Sequence, residues 1–337
     1  MKVLVVGLGR RLQHEHSVVQ SLSSFHGVDA HAFFYGRLLT GREGYLAERL
    51  LFGPKISYIN NILLNQCKEE KFDVVFLYRA LLISSKSIQK IKDLGCKVVT
   101  FNPDTIYGAN GSKAYFNFYR KSLKLTDHNF VYRKSDLEKF QLMGIHNVSI
   151  LRSFFVPKQL EFISRKRFSE KVTDVGFYGH CEPDDRVDYI KKIFEKNYDL
   201  RVNGRDWNKF YKFPDGKNKI SGSLSFLEYN KAINETKCCL CFFSSWNEDS
   251  YTRRVFEIPA IGSLLVAKRT EEMLDIYNED EAVYFEDFYE LSSKIDLLVN
   301  DERAWTNMLA NSREKLFSSS HDIKSRMNEF LNKVSEL

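Results

Sequence analysis

Residues 249–262 read Asp249-Ser250-Tyr251-Thr252-Arg253-Arg254-Val255-Phe256-Glu257-Ile258-Pro259-Ala260-Ile261-Gly262. Two carboxylates, Asp249 and Glu257, stand eight residues apart. Arg253 and Arg254 lie between them, and Pro259 to Gly262 closes the stretch with mostly small residues. Upstream, Cys238-Cys239-Leu240-Cys241-Phe242-Phe243 is an uninterrupted apolar run, and downstream Leu264-Leu265-Val266-Ala267 is another. Short apolar runs set off by polar segments are those of buried parallel strands, so the region predicts strand, loop, helix, strand. Open α/β sheets bind ligands outside the carboxyl ends of their strands. At that place the stretch would present a carboxylate for a pair of sugar hydroxyls, two guanidinium groups for phosphate and a helix N-terminus for an anion.

The same grammar extends in both directions. In the first half, strands are predicted at Val3–Val6, 29–34, 73–77, 97–101, 128–132 and 148–151, with helical patterns between them. In the second half, strands at 174–179 and 200–204 lead into the region quoted above, and 282–285 and three helical patterns follow it. Strands alternating with helices imply parallel sheets with right-handed crossovers. A charged break containing Pro157, near Ser153 to Lys171, separates the halves. The expected domains are 1–155 and 172–310, with 311–337 closing the chain.

A chain of 337 residues suits two domains better than one. With 43% hydrophobic and 28% charged residues it falls among soluble globular proteins. Aromatic residues are frequent, which favours extensive cores without naming a ligand. Fifty Lys and Arg against 44 Asp and Glu leave a charge of +6. The basic residues are scattered, with mild clusters such as Arg165-Lys166-Arg167. They read as a solvated surface or as attraction to anionic headgroups or a polyanionic acceptor, and no nucleic-acid-binding signature is present. The six cysteines lack metal-binding spacing, and three of them lie inside the run 238–243, where Cys acts as a small hydrophobe. Met1 to Gly7 reads as a first strand and not as a signal peptide, and no apolar stretch is long enough to span a membrane. The expected location is the cytoplasm, including contact with the inner face of a membrane.

Gly7-Leu8-Gly9 follows the first strand, but Leu12 stands where a dinucleotide fingerprint needs its third glycine. NAD and FAD are therefore not expected. His14 and His16, just behind, are either acid/base groups or exposed helix residues.

Arg254-Val255-Phe256-Glu257, continued to Gly262, resembles the nucleotide-sugar segment of GT-B glycosyltransferases, and in particular the group 1 set that includes the CgeB-like proteins. The resemblance implies two Rossmann-like domains facing an interdomain cleft, an acceptor bound by the first and a nucleotide diphosphate sugar, UDP- or GDP-linked, bound by the second. The larger retaining group shows Glu-x7-Glu. Here Asp249 takes the first place, so retention is an expectation that departs from the pattern. The resemblance further implies Glu257 on the ribose hydroxyls and Arg254 and Arg186 on the diphosphate, with Gly179 letting backbone approach the donor. Arg186 also reads as an exposed residue at a helix start. Gly204 and Trp207 either border the base or serve the core. Asp104, in Phe101-Asn102-Pro103-Asp104 at a strand end, either contacts the acceptor hydroxyl or is a turn residue. Asp104 and Asp249 are thus the catalytic candidates. No Asp-x-Asp motif occurs, and no metal or other cofactor is expected. The acceptor is expected to be a glycan, a lipid-linked glycan or another surface polymer. The alternatives are a non-catalytic binding or assembly protein of this shape, a nucleotide-sugar epimerase, and transfer to a nucleic-acid base. The apolar positions Ile323, Met327, Phe330, Leu331 and Val334 follow helical spacing and are expected to face the first domain.

Overall fold

The computed structural model describes residues 1–10, 12–51, 53–107, 114–161, 163–196, 198–210 and 219–337. The chain divides into two compact units, Met1–Ser153 with Ile323–Leu337, and Phe154–Asp322. Each is built on a six-stranded sheet whose strand pairs are all parallel.

The first sheet contains β1 (Lys2–Gly7), β2 (Asp29–Phe34), β3 (Val74–Tyr78), β4 (Lys97–Asn102), β5 (His128–Val131) and β6 (Val148–Ile150), in the order β2-β1-β3-β4-β5-β6. Val3 to Val6 and Val74 to Tyr78 are buried throughout. This is why these strands read as apolar runs instead of alternating: helices cover both faces of a parallel sheet. The helix Ile323–Ser335 belongs to this unit and buries Ile323, Met327, Phe330 and Val334. Leu331 is only partly covered. The Phe330 ring stacks on Phe76 with centroids 4.3 Å apart and lies 5.9 Å from Phe130.

The second sheet contains β7 (Thr173–Tyr178), β8 (Leu200–Asn203), β9 (Lys219–Ser221), β10 (Thr236–Cys241), β11 (Leu264–Lys268) and β12 (Val283–Phe285), in the order β12-β11-β10-β7-β8-β9. The expected closing segment 311–337 is divided. The helix Glu302–Ser318 stays with the second unit because Trp305 is buried in its core and donates its indole N–H to Lys237 O at 3.0 Å. It stops at Ser319 and Ser320, the latter at φ 56°.

The helix Arg254–Ile261 is short and contains Pro259. A proline there cannot donate to the carbonyl four residues back, that of Val255. The Tyr277 hydroxyl takes the place of the missing donor at 3.1 Å. At the other end Gly262, at φ 113°, turns the chain into β11, and Arg313 donates to the carbonyls of Pro259 and Ala260 at 2.7 Å each. Terminal carbonyls that the helix leaves open are thereby satisfied.

Candidate functional site

In the second sheet the strand order reverses between β7 and β10: the chain winds outward from β7 to β9, then returns to lay β10 on the other side. Loops leaving two such strands diverge and open a crevice at their carboxyl ends. Arg254 sits there. Its Nη1 donates to Tyr178 O at the end of β7 (3.0 Å) and its Nη2 to Phe242 O just past β10 (3.1 Å), so one guanidinium straps the two central strands. These carbonyls take two of its five N–H donors, and the group lies over the Phe177 ring. Burial works against its charge, but Cys241, Tyr229 and the carboxylates of Glu257 and Asp249 outweigh it and raise its pKa above the ordinary arginine value.

Glu257 lies one turn further along the same helix. It accepts a hydrogen bond from the Tyr229 hydroxyl at 3.0 Å and pairs with Arg253 Nε at 2.7 Å. A carboxylate offers about four acceptor positions, so some remain for a ligand. Tyr229 itself is enclosed, and burial followed by the nearby Glu257 charge pushes its phenol well above the ordinary value, so it stays a donor. Asp249 closes the loop that leaves β10, its N–H donating to Ser244 O at 2.9 Å.

The other expected residues are placed differently. Arg186 is 2% exposed. Its Nε and Nη2 each meet Asp184 at 2.7 Å, Nη2 also meets Glu182 (3.2 Å) and Phe243 O (2.9 Å), and Nη1 donates to His180 O (3.1 Å). A guanidinium clamped by two carboxylates and two carbonyls presents no open fork to a diphosphate. What it does is join the loop after β7 to the loop after β10, helped by Ser244 Oγ donating to Glu182 at 3.0 Å. Burial would raise the Glu182 pKa, but His180, Arg186 and Ser244 hold it below the usual glutamate value. Trp207 is likewise 2% exposed, with its indole N–H spent on Gly179 O (3.0 Å) and its ring edge-on to Phe177. It serves the core and offers no face to a base. Gly179 and Gly204 are explained by packing. A Cβ on Gly204 would stand 1.9 Å from Gly179 O, and one on Gly179 would stand 2.1 Å from Arg254 Nη1. Further along, Lys268 pairs with Asp185 and Arg269 with Glu279 and Glu286, which leaves that segment a solvated helix start.

In the first unit the order reverses between β1 and β3. A Cβ on Gly7 would meet Glu15 Cγ and Tyr78 O at 2.9 Å, and one on Gly9 would strike the Phe34 side chain. The Gly9 N–H donates to Glu15 Oε1 at 3.3 Å, and His16 Nε2 contacts Gly9 O at 3.0 Å. Asp104 follows β4 and pairs through Oδ2 with Arg79 Nη2 at 2.6 Å. Among the described residues no group of three or more His, Cys, Asp or Glu side chains is placed to hold a metal ion, and no helix is long and apolar enough to cross a membrane.

Residues 186–332 match the family described as glycosyl transferase-like. This stretch is a glycosyl transferase-like domain. Solved structures extend the comparison over the whole chain. Anabaena Alr3699/HepE, solved in complex with UDP-glucose, has a TM-score of 0.69 at 10% identity, with all of both chains covered. An α-glucosyltransferase in complex with UDP and a 13-mer DNA has a TM-score of 0.70 at 11% identity, with 99% of each chain covered. Sucrose-phosphate synthase from Thermosynechococcus elongatus has a TM-score of 0.66 at 10% identity, covering 100% of this chain and 99% of that one. The fold is GT-B, as the signature implied. Among curated proteins none matches the chain by sequence. The match by sequence covers residues 186–332, and the likeness over the whole chain is one of fold. Sequence reasoning had not singled out Tyr229, Glu182 or Asp184. The last two lie four and two residues before Arg186, a spacing from which a clamp could have been read. Tyr229 stands 28 residues before its partner and carried no local signal.

Proposed function

We propose that this chain is a glycosyltransferase that moves a sugar from a UDP- or GDP-linked donor held by the second unit to a hydroxyl acceptor such as a glycan, a lipid-linked glycan or another surface polymer. The observation that carries the proposal is the pair Arg254 and Glu257 at the crevice of the second sheet. The first keeps unspent N–H donors and the second keeps unspent acceptor positions, within one helical turn. Glu257 accepts the ribose hydroxyls and Arg254 meets the diphosphate. Asp249 is assigned to the transferred sugar and Asp104 to the acceptor hydroxyl. Charge developing on the departing diphosphate is met by Arg254 and the N-terminus of its helix, which supports transfer without a divalent cation. The eight-residue spacing of Asp249 and Glu257 supports retention at the anomeric carbon.

Thermal shift against UDP- and GDP-linked sugars tests the donor. A ligand at 100 times its dissociation constant stabilises by about 2.7 kcal/mol. Release of nucleoside diphosphate from the shifting donor, with and without a chelator, tests transfer and its independence of metal. Absence of any shift would sink the donor assignment. A shift without release would make the protein a binder, and interconversion of free donor would make it an epimerase.

A further inference from the structure

The helix Arg254–Ile261 ends beside a cavity, at the opposite end from Arg254. The cavity has a volume of about 220 Å³ and lies wholly within the second unit. It opens between the end of this helix, the segment 157–165 and the last two turns of the helix Glu302–Ser318. Its walls are mostly apolar, from Pro157, Leu160, Ile163, Ala260, Ile261 and Phe317, and two guanidinium groups, Arg165 and Arg313, complete them. The helix has eight residues, which span about 12 Å, so the cavity stands a helix length away from the donor crevice.

Neither arginine is balanced by an acid among the described residues. Arg313 spends Nη1 on the carbonyls of Pro259 and Ala260, while its Nε and Nη2 make no hydrogen bond among those residues. Its guanidinium lies over the Phe317 ring, 5.0 Å from the centroid. Burial, followed by the nearby Arg165 charge, lowers its pKa to about 10, and no carboxylate among the described residues opposes them. Arg165 makes no hydrogen bond or ion pair among the described residues. Its place is nevertheless fixed. Asn234 holds the residues on either side, accepting from the Lys166 N–H at 3.1 Å and donating to Ser164 O at 2.8 Å. The Arg165 stem covers Gly262, where an added Cβ would stand 3.3 Å from Arg165 Cγ. Glu161 also lines the cavity, but it is exposed and pairs with neither arginine. Capping the helix accounts for Arg313. It does not account for Arg165, which reaches none of those carbonyls. Two like charges held together over an apolar floor call for a counter-ion.

We propose that this cavity binds a small organic anion with an apolar body, its carboxylate or phosphate head between Arg165 and Arg313 and its body against Leu160, Ile163 and Phe317. The unspent N–H groups of a guanidinium match the oxygens of either head. Sites for drug-sized ligands run to about 300–1,000 Å³, so this smaller cavity suits a body of one ring or a short chain and not a nucleotide sugar. Bound there, the anion ties the segment 157–165 to the end of the helix whose first turn bears Arg254 and Glu257. The site is separate from the donor crevice, and its ligand does not rest on the glycosyl-transfer reading.

Calorimetric titration of the full chain with phenylacetate and phenyl phosphate tests it. Acetate, which has the charge without the body, and benzyl alcohol, which has the body without the charge, are the controls. Both anions are expected to bind, each about tenfold more tightly than either control. Arg165→Gln should weaken both by about tenfold and leave the melting temperature unchanged, since that side chain is exposed and makes no pair among the described residues. Arg165→Lys should stay within a few-fold of the wild type. Phe317→Ser, at a half-exposed position, should weaken binding by removing a wall. Hydrogen exchange should slow in 157–165 and 260–262 when either anion binds, and not in the loop 244–250 at the donor crevice. Failure of both anions to bind overturns the inference, and so does wild-type binding in Arg165→Gln or a control that binds as tightly as the anions. Protection confined to 244–257 would place the anions in the donor crevice and overturn it too. Co-sedimentation with phosphatidylglycerol vesicles that Arg165→Gln abolishes, without binding of either free anion, would assign this face to a membrane instead.

Discussion

Glu257 is held from two sides before any ligand arrives, by the Tyr229 hydroxyl and by Arg253. A carboxylate fixed in this way loses little freedom on meeting a ribose, which favours affinity. Glu257→Ala should therefore reduce donor affinity by roughly 1.5–3 kcal/mol, the range for hydrogen bonds to charged groups. Tyr229→Phe should cost about 1 kcal/mol, several-fold in Kd, by freeing the carboxylate to turn. Calorimetric titration with the active donor measures both, and unchanged affinity in Glu257→Ala would remove the central assignment. That Arg254, Glu257 and Asp104 stand near strand ends could be read from the sequence, because apolar runs mark the strands before them. The fates of Arg186 and Trp207 could not. Whether an arginine meets solvent or two carboxylates depends on how two loops converge, and Trp207 is buried by the close approach of Gly204 to Gly179.

The elements that bear these residues were largely readable, because buried parallel strands advertise themselves as apolar runs. β9 was not: it has three residues, Lys219–Ser221, and pairs only with β8 at the sheet edge. Nor could the sequence show how a helix with an internal proline is completed. Tyr277 is fully buried and its hydroxyl serves the Val255 carbonyl. Tyr277→Phe should cost about 1–3 kcal/mol by leaving that buried acceptor unpaired, and urea unfolding of the second unit measures it. An unchanged midpoint would show that the carbonyl finds another partner. In the first unit, His128 on β5 is buried against Ser149 of β6, with Lys333 and Glu336 of the helix Ile323–Ser335 and its extension within electrostatic range. Burial, aided by Lys333 and opposed by Glu336, pushes its pKa down from 6.5 to about 4. The folded value lies below the unfolded one, so the unfolded chain takes up the proton first and stability falls as pH drops from 6.5 toward 4. The loss should reach about 2 kcal/mol at pH 5. His128→Asn should flatten that slope between pH 7 and pH 5, and an identical slope would assign acid sensitivity elsewhere.

On the scale of the whole molecule, the chain leaves the first unit after Ser153 and re-enters it at Ile323. The outgoing and returning segments run side by side, with Phe155 bridged to Asp322 and its N–H 3.3 Å from His321 O. Phe330 fills the face of the first sheet, so Phe330→Ala should destabilise that unit by roughly 3–5 kcal/mol. The second unit should be unaffected. Hydrogen exchange resolved by segment distinguishes the two, and equal loss of protection in both would show that they unfold as one.

That return has a temporal consequence. A ribosome delivers residues 1–153 first, yet Phe76 and Phe130 wait for Phe330 until all of 154–322 has been made. The part born first is finished last, and during translation its exposed sheet face is a natural client for a chaperone. Nascent chains stalled so that residue 322 but not the helix Ile323–Ser335 has cleared the exit tunnel should be cut by protease within 1–153 while 154–322 resists, and the cutting should cease once residue 337 clears the tunnel. Early resistance of 1–153 would mean that the sheet closes without its last helix.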